Sequence, residues 1–283
     1  MTKIQKIILS ILIVSICISA TVCVSIYRAI YINPDQLVIH YETLKDDKIP
    51  DELIDQSIVY FTDLQYGKFQ NKKRTKKFIS KVEHLDPDIL LIGGDLFEKS
   101  FLPDETDIVY MIDFLKNIPA PLGKFAVLGE QDIADGQRLQ ILERIYHESE
   151  VEILDNASRT IANQSIPSIQ IIGMGVDPNW NQALAGVRKE QFNILLSHQP
   201  DLLLSPELER APIDFALAGH SHGTQISYPV YGGYEEIKGA KKLNSKKGEK
   251  TPFNYYVSSG VGCTKVNARL NSTPEIVYIL LDS

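Results

Sequence analysis

The sequence predicts an α/β domain of two mixed β-sheets packed face to face with helices outside, standing behind one N-terminal apolar helix. Three observations carry that expectation. Apolar, strand-like runs alternate with helical segments through the first half of the domain, the mark of βαβ units. Strands crowd closer in the second half, where helical segments are short. The first thirty residues differ in kind from the rest, since Ile7 to Tyr27 carries no charge and is dominated by Ile, Leu and Val.

At about 1.5 Å per residue, that apolar run spans roughly 30 Å, enough for the hydrocarbon core of a bilayer. Lys3 and Lys6 precede it and only Arg28 follows closely. The positive-inside bias therefore places the N-terminus in the cytoplasm and the bulk of the chain outside, as a single-pass cell-membrane protein. A cleaved signal peptide is the competing reading, but the run is long and no A-x-A site closes it. Cys17 and Cys23 fall inside the span, and neither follows the small residue that a lipoprotein signal requires. The chain thus divides into a cytoplasmic tip and anchor (1–28), a juxtamembrane segment (29–56) and one main domain (57–283).

Residues 36–42 (QLVIHYE) suit an edge strand. Residues 57–62 (SIVYFT) predict a strand, 71–85 a basic-faced helix and 88–92 (DILLI) a continuously apolar strand. A helix over 106–117, a strand over 124–128 and a helix over 136–147 follow. Strands are then expected at 152–154, 159–162, 169–172, 192–196, 213–218, 225–229, 255–258 and 275–281. Residues 231–252, rich in Gly and Lys, read as a mobile loop.

Beyond residue 28 the chain holds 26 basic and 36 acidic residues, a balance of −10. That excludes non-specific nucleic-acid binding by the surface as a whole. Cys263 is the one cysteine of the main domain, so no internal disulfide forms there. Lys68, Lys72, Lys73, Arg74, Lys76 and Lys77 surround the start of the first domain helix. They fit either a solvated helix face or a patch for anionic lipid or a phosphorylated substrate. No P-loop motif occurs, so nucleoside-triphosphate hydrolysis of that class has no support.

Five predicted strands end in ligand-type residues: Asp63 and Gln65, Asp95, Glu130 and Gln131, His198, and His220 with His222. In α/β sheets the crevice beyond the strand carboxyl ends is where ligands bind. His220 and His222, two apart on an expected extended segment between Gly219 and Gly223, should point the same way. Any one of these residues also fits a cap or a turn. Together, carboxylates, imidazoles and an amide suit a pair of divalent ions, which in mixed N/O ligation means Mn, Fe, Zn or Ni.

These motifs resemble the calcineurin-like metallophosphoesterases, in particular their membrane-anchored bacterial branch. The family order is Asp-x-His, Gly-Asp, Gly-Asn-His-Asp/Glu, a lone His, then Gly-His-x-His. Here it reads Asp63-Leu64-Gln65, Gly94-Asp95, Gly129-Glu130-Gln131-Asp132, His198 and Gly219-His220-Ser221-His222. The resemblance runs from about residue 57 to the C-terminus and implies a four-layer α/β/β/α sandwich. It implies that Asp63, Gln65, Asp95 and His222 hold one ion, that Asp95, Glu130, His198 and His220 hold the other, and that Asp95 bridges. The activity implied is hydrolysis of a phosphodiester, phosphomonoester or pyrophosphate by a metal-activated hydroxide. Its substrate would be a phosphorylated small molecule or a lipid-linked compound, with no substrate-binding residue identified.

Three positions depart from the family pattern. Gln65 replaces a His ligand, and Glu130 stands where Asn ligates. Gln131 stands where a His protonates or stabilises the departing oxygen. An amide donates a hydrogen bond but gives up no proton, and general acid catalysis is worth about 10²–10⁴-fold. Gln131 is therefore expected to orient substrate or leaving group. The alternative reading is a catalytically impaired pseudoenzyme that binds metal or phosphate, or senses, at the cell surface.

Overall fold

The computed structural model describes residues 2–163, 166–228, 231–245 and 248–283. Helix α1 (Lys3–Tyr31) opens on a capping box in which the Thr2 hydroxyl accepts from the Gln5 N–H and the Gln5 side chain accepts from the Thr2 N–H. It is apolar enough to cross a membrane, with a mean hydropathy of 2.8 in its most apolar stretch. Its side chains stand exposed and only Ala29 in its last turn is buried. A 3₁₀ turn, Asn33–Asp35, follows. There the Ala29 carbonyl accepts from the Arg269 N–H at 2.8 Å, and Asn33 Nδ2 donates to the Arg269 carbonyl at 2.8 Å. The end of the apolar helix is thus stitched to the domain.

The first sheet contains β1 (Val38–Lys45), β2 (Ser57–Phe61), β3 (Ile89–Ile92), β4 (Lys124–Ala126), β5 (Glu152–Ile153) and β13 (Glu275–Asp282), in the order β1-β13-β2-β3-β4-β5. β2 to β5 run parallel, while β13 lies antiparallel to β2 and parallel to β1. The second sheet contains β6 (Ala157–Asn163), β7 (Ile166–Met174), β8 (Phe192–Ser197), β9 (Phe215–Ala218) and β12 (Asn254–Val257), in the order β12-β9-β8-β7-β6. All its neighbours are parallel except β6 with β7.

β2, β3 and β8 are buried throughout and mostly apolar because both faces of a parallel sheet are covered. Ile58, Tyr60, Ile89 and Leu91 point between the sheets, where they meet Ile194, Leu196, Phe215 and Leu217. Val59, Phe61, Leu90 and Ile92 point the other way, onto helices α2 (Lys72–Leu85), α3 (Glu105–Asn117) and α4 (Gly136–Glu148). Each large apolar side chain buried there contributes about 1.5–3 kcal/mol. Asn71, Asp104 and Asp135 cap those three helices by accepting first-turn N–H groups. The outer face of the second sheet is covered by the short helix α5 (Trp180–Ala183) and by 3₁₀ turns at Pro200–Leu204 and Pro206–Glu209. The layers are therefore helix, sheet, sheet and short helices.

The segment before β2 belongs to this packing, since β1 is the edge of the first sheet and Ile49 and Leu53 enter the core between the sheets. Three expectations need correction. The strand expected at 225–229 is the two-residue strand β10 (Ser227–Tyr228), paired antiparallel with β11 (Gly232–Gly233), and Pro229 lies outside the described residues. The strand after α3 leaves its ladder at Ala126, although Val127 and Leu128 are buried. The Gly- and Lys-rich segment is anchored rather than mobile over 241–243. The Asp201 carboxylate accepts the N–H groups of Lys241, Lys242 and Leu243 at 2.8–2.9 Å, and Leu243 is fully buried. Residues 246 and 247 of that segment lie outside the described residues.

Candidate metal centre

Every candidate residue follows the carboxyl end of a parallel strand. Asp63 and Gln65 follow β2, Asp95 follows β3, Glu130 and Gln131 follow β4, His198 follows β8, and His220 and His222 follow β9. The sheets meet at this edge because their connecting glycines leave no room for side chains. A Cβ on Gly219 would overlap Thr62 Oγ1, and a Cβ on Gly129 would overlap Asp95 Oδ1. Left-handed backbone occurs at Asp63 (φ 54°), Gln65 (51°), Asp95 (55°), His220 (62°) and His222 (46°). Such residues cost of order 1–3 kcal/mol each and cluster at functional sites. Here hydrogen bonds between strand ends hold them: Asp63 N–H to the Gly94 carbonyl (2.9 Å), Gln65 N–H to the Asp95 carbonyl (3.1 Å) and Gly219 N–H to the His198 carbonyl (3.1 Å).

His220 and His222 correct the expectation of an extended segment. His222 opens a 3₁₀ turn, His222–Thr224, and both residues have positive φ. Their rings diverge in consequence. His220 Nδ1 lies 3.2 Å from Glu130, whereas His222 Nε2 lies 3.3 Å from Asp63.

Asp95, Glu130, His198 and His220 offer one ligand atom each, all within 4.8 Å of one another. The ring tautomers say what this cluster wants. His198 Nδ1 faces the Gly93 carbonyl at 2.6 Å, and His220 Nε2 faces the Lys238 carbonyl at 2.8 Å. A carbonyl only accepts, so both those nitrogens carry the proton. In the neutral rings the lone pairs then sit on His198 Nε2 and His220 Nδ1, which face each other at 3.1 Å. Glu130 Oε2 lies 3.2 Å from both and has no hydrogen-bond partner. Two lone pairs and a carboxylate oxygen converging on one point repel one another unless a proton or a cation sits between them. Backbone carbonyls that fix the tautomer of ligating imidazoles are a regular feature of metal sites.

The titration of these groups carries the same message. Burial works to lower the His198 pKa, but the Asp95 and Glu130 carboxylates outweigh it and hold it well above the usual imidazole value. His220 is raised as well, burial again being outweighed, here chiefly by Glu130. Glu130 is held far below the carboxylate range, because His198 and His220 overcome its burial.

The second half of the cluster is less complete. Asp63 Oδ2 accepts from the Thr62 hydroxyl (2.7 Å) and the His220 N–H (2.8 Å), and this leaves Oδ1 toward His222 without a hydrogen bond. His222 is held below the usual imidazole value by burial, with the nearby Arg269 charge adding to the effect. Asp95 lies between the halves. Its Oδ1 accepts the Gln131 N–H (3.0 Å), and its Oδ2 accepts from Gln65 Nε2 (3.0 Å) and Gln131 Nε2 (2.7 Å). The amide oxygens of Gln65 and Gln131 are buried with no hydrogen-bond partner. Orphaned oxygens on Asp63, Gln65 and Glu130, set among three imidazoles, fit a pair of divalent cations.

Four supporting residues were missed as site residues by the sequence reading. Asp132 accepts the N–H groups of Asp95 (2.7 Å), Gly129 (2.9 Å) and Leu96 (3.1 Å), and burial together with the Asp95 charge pushes its pKa up to about 7. Gln199 donates to Glu130 Oε1, and Thr62 donates to Asp63. Arg269 is fully buried and donates to the carbonyls of Ser259, Gly260 and Gly262, which back Asp63 and Gln65. Asp132 had a signal in its place beside Glu130 and Gln131, and Gln199 in its place beside His198. Arg269 had none.

A two-sheet sandwich with carboxylates and imidazoles at the converging strand ends defines a metal-dependent hydrolase of phosphoric esters. The family model for calcineurin-like phosphoesterases matches residues 57–224, and the chain belongs to that family. It is 25% identical over 257 residues to the uncharacterized metallophosphoesterase YkuE of Bacillus subtilis, covering 89% of this chain and 88% of the relative. It is 27% identical to the UDP-2,3-diacylglucosamine pyrophosphatase LpxG of Chlamydia muridarum, over 77% of this chain and 81% of the relative. It is likewise 27% identical to the phosphodiesterase YaeI of Escherichia coli, over 79% of this chain and 81% of the relative.

Proposed function

We propose that the protein is a membrane-anchored dinuclear phosphoesterase acting on a phosphodiester or pyrophosphate, free or lipid-linked, outside the cytoplasmic membrane. The single observation that carries the metal-centre reading is the convergence of His198 Nε2, His220 Nδ1 and Glu130 Oε2 with their lone pairs face to face, and the orphaned Asp63 Oδ1 beside His222 supports a second ion. Asp95, Glu130, His198 and His220 would hold one ion, and Asp63, Gln65, Asp95 and His222 the other. Such a pair supplies an activated water at neutral pH and stabilises both the attacking and the leaving oxygen at phosphorus.

The residues of the chain do the rest. Asp95 lies where it touches both halves, and the Gln131 N–H and Nε2–H fix its carboxylate. Gln131 therefore works as a positioning amide with no proton to give. Departing groups that need protonation are expected to be poor substrates. The names of LpxG and YaeI, a pyrophosphatase and a phosphodiesterase, support that choice of substrate class. The exposed apolar side chains of α1 support a membrane span, and Lys3 and Lys6 ahead of them support a cytoplasmic N-terminus. A pseudoenzyme is the second reading, favoured by one observation: Glu130 and Gln131 alter one corner of the site together.

The test is elemental analysis of the purified chain followed by hydrolysis of activated and unactivated phosphodiesters with Mn²⁺. Two ions per chain with turnover of the activated ester is the expected result. Glu130→Asn combined with Gln131→His should raise turnover of the unactivated ester more than that of the activated one, by up to about 10²-fold. Two bound ions with no turnover of any ester would establish the pseudoenzyme, and absence of ions would refute the enzyme and the metal-holding form of the pseudoenzyme.

A further inference from the structure

Helix α2 opens on the most basic stretch of an acidic domain. No Asp or Glu occurs from Leu64 to Val82, while Lys68, Lys72, Lys73, Arg74, Lys76 and Lys77 all fall within it. These side chains are not spread evenly around the helix. Lys68, Lys73, Arg74 and Lys77 line one cleft of about 290 Å³, together with Asn71 and Asp35. Arg74 organises the wall: its Nε donates to Asp35 at 2.7 Å, and its Nη1 donates to Asn267 Oδ1 at 2.6 Å and to the Phe69 carbonyl at 3.0 Å. The guanidinium and the one carboxylate of the cleft thus satisfy each other. Lys68, Lys73 and Lys77 are exposed and take part in none of the ion pairs among the described residues.

The position of the cleft gives that charge a meaning. Asp35 closes the 3₁₀ turn directly after α1. Tyr27 and Tyr31, whose rings lie 5.2 Å apart, stand exposed on the last turns of that helix. Tyrosine is enriched where a spanning helix leaves the hydrocarbon. With α1 across a bilayer, the cleft therefore lies level with the lipid headgroups. The Arg74–Asp35 pair and the bonds of Asn33 and Arg269 keep it there.

We propose that this cleft binds the phosphate headgroup of an anionic membrane lipid, with Lys68, Lys73 and Lys77 as its cationic contacts. The proposal rests on the reading of α1 as a membrane span. A lysine at an anionic surface strengthens binding about fivefold. Contact at this cleft would fix the tilt of the domain and so the height of the metal centre above the membrane.

The full chain is reconstituted in nanodiscs of phosphatidylcholine with increasing fractions of phosphatidylglycerol, and amide hydrogen exchange is followed over residues 68–77. Protection should rise with phosphatidylglycerol. The fraction giving half of that protection should rise about fivefold for Lys73→Gln and again for Lys77→Gln, while Lys189→Gln, outside the cleft, leaves it unchanged. Equal protection in neutral discs would overturn the proposal. So would protection in neutral discs by millimolar inorganic phosphate with no response to phosphatidylglycerol, which would make the cleft a free-phosphate site. The span is tested separately by flotation with vesicles after an alkaline carbonate wash. A chain stripped by that wash loses the span alone: phosphatidylglycerol-dependent protection of 68–77 on unwashed vesicles would still uphold the lipid site, and its absence would overturn it.

Discussion

His198 and His220 each commit one ring nitrogen to a backbone carbonyl, so the other has a single choice between proton and cation. That choice sets the pH behaviour. Both pKa values are raised from the ordinary 6.5, so the stability they contribute is complete below 6.5 and is lost as pH rises through the folded values. Glu130 is lowered from 4.5, so its contribution is present above 4.5 and is lost as pH falls through the folded value. The ion-free protein should therefore melt progressively lower as pH rises from 6.5 toward 8, a range in which the lowered His222 no longer acts and the raised Asp132 adds to the loss up to about 7. Saturating Mn²⁺ should reverse the slope above pH 6.5, because ligating imidazoles must be deprotonated. Thermal melts with and without Mn²⁺ across pH 5–8 check this, and an ion-free melting point that climbs with pH above 6.5 would contradict it. Gln65 presents the complementary case. Its Nε2 donates to Asp95 while its oxygen is buried without a hydrogen-bond partner, and an amide oxygen binds a borderline cation more weakly than an imidazole does. Gln65→His should tighten the weaker of two Zn²⁺ binding steps and leave the stronger in place, as titration calorimetry would show.

At the scale of elements, the site depends on how closely the loops after β3 and β4 approach. A Cβ on Gly129 would meet both the carboxylate and the N–H of Asp95. Gly129→Ala should cost about 1–3 kcal/mol, a melting point lower by several degrees, and the strain should fall on the carboxylate between the two half-sites. The ion content per chain should drop with it; a full complement of ions in a destabilised variant would separate Asp95 from the metals. The same closeness explains what was readable in advance. β2, β3 and β8 announced themselves because parallel strands covered on both faces are mostly apolar, Asn193 being the exception within β8, and the ligand-type residues after each run marked the crevice. Val127 and Leu128 misled, because both are buried beyond the end of β4 at Ala126, where only the Val127 N–H still reaches β3, at the Ile92 carbonyl. Leu243, a lone apolar residue among lysines, gave no sign of being buried, since the Asp201 carboxylate that holds its loop lies some forty residues earlier. The HxH pair was found, but its divergent rings were not, because two positive-φ residues replace the extended chain that alternation assumes.

At the scale of the whole molecule, Arg269 joins two things that the sequence keeps far apart. Its backbone binds the last turn of α1 through Ala29 and the following 3₁₀ turn through Asn33, while its guanidinium binds the carbonyls behind Asp63 and Gln65. No carboxylate pairs with this buried charge among the described residues; backbone carbonyls and the Ser272 hydroxyl take its Nη groups, while its Nε is buried without a hydrogen-bond partner. Replacing it leaves several buried carbonyls unsatisfied at about 1–3 kcal/mol each. It also releases the glycine-rich turn that packs on the candidate ligands. Asn33→Ala, by contrast, removes one hydrogen bond at the half-buried junction and should cost only about 1 kcal/mol. The two variants separate anchoring from site support. Arg269→Leu should lower both the melting point and the number of ions per chain, with Arg269→Lys recovering part of each. Asn33→Ala should lower the melting point slightly and leave the ions in place. If both variants kept a full complement of ions, Arg269 would serve the fold alone. If Asn33→Ala shed ions as readily as Arg269→Leu, the hold on the N-terminal apolar helix itself would be what keeps the candidate ligands in register.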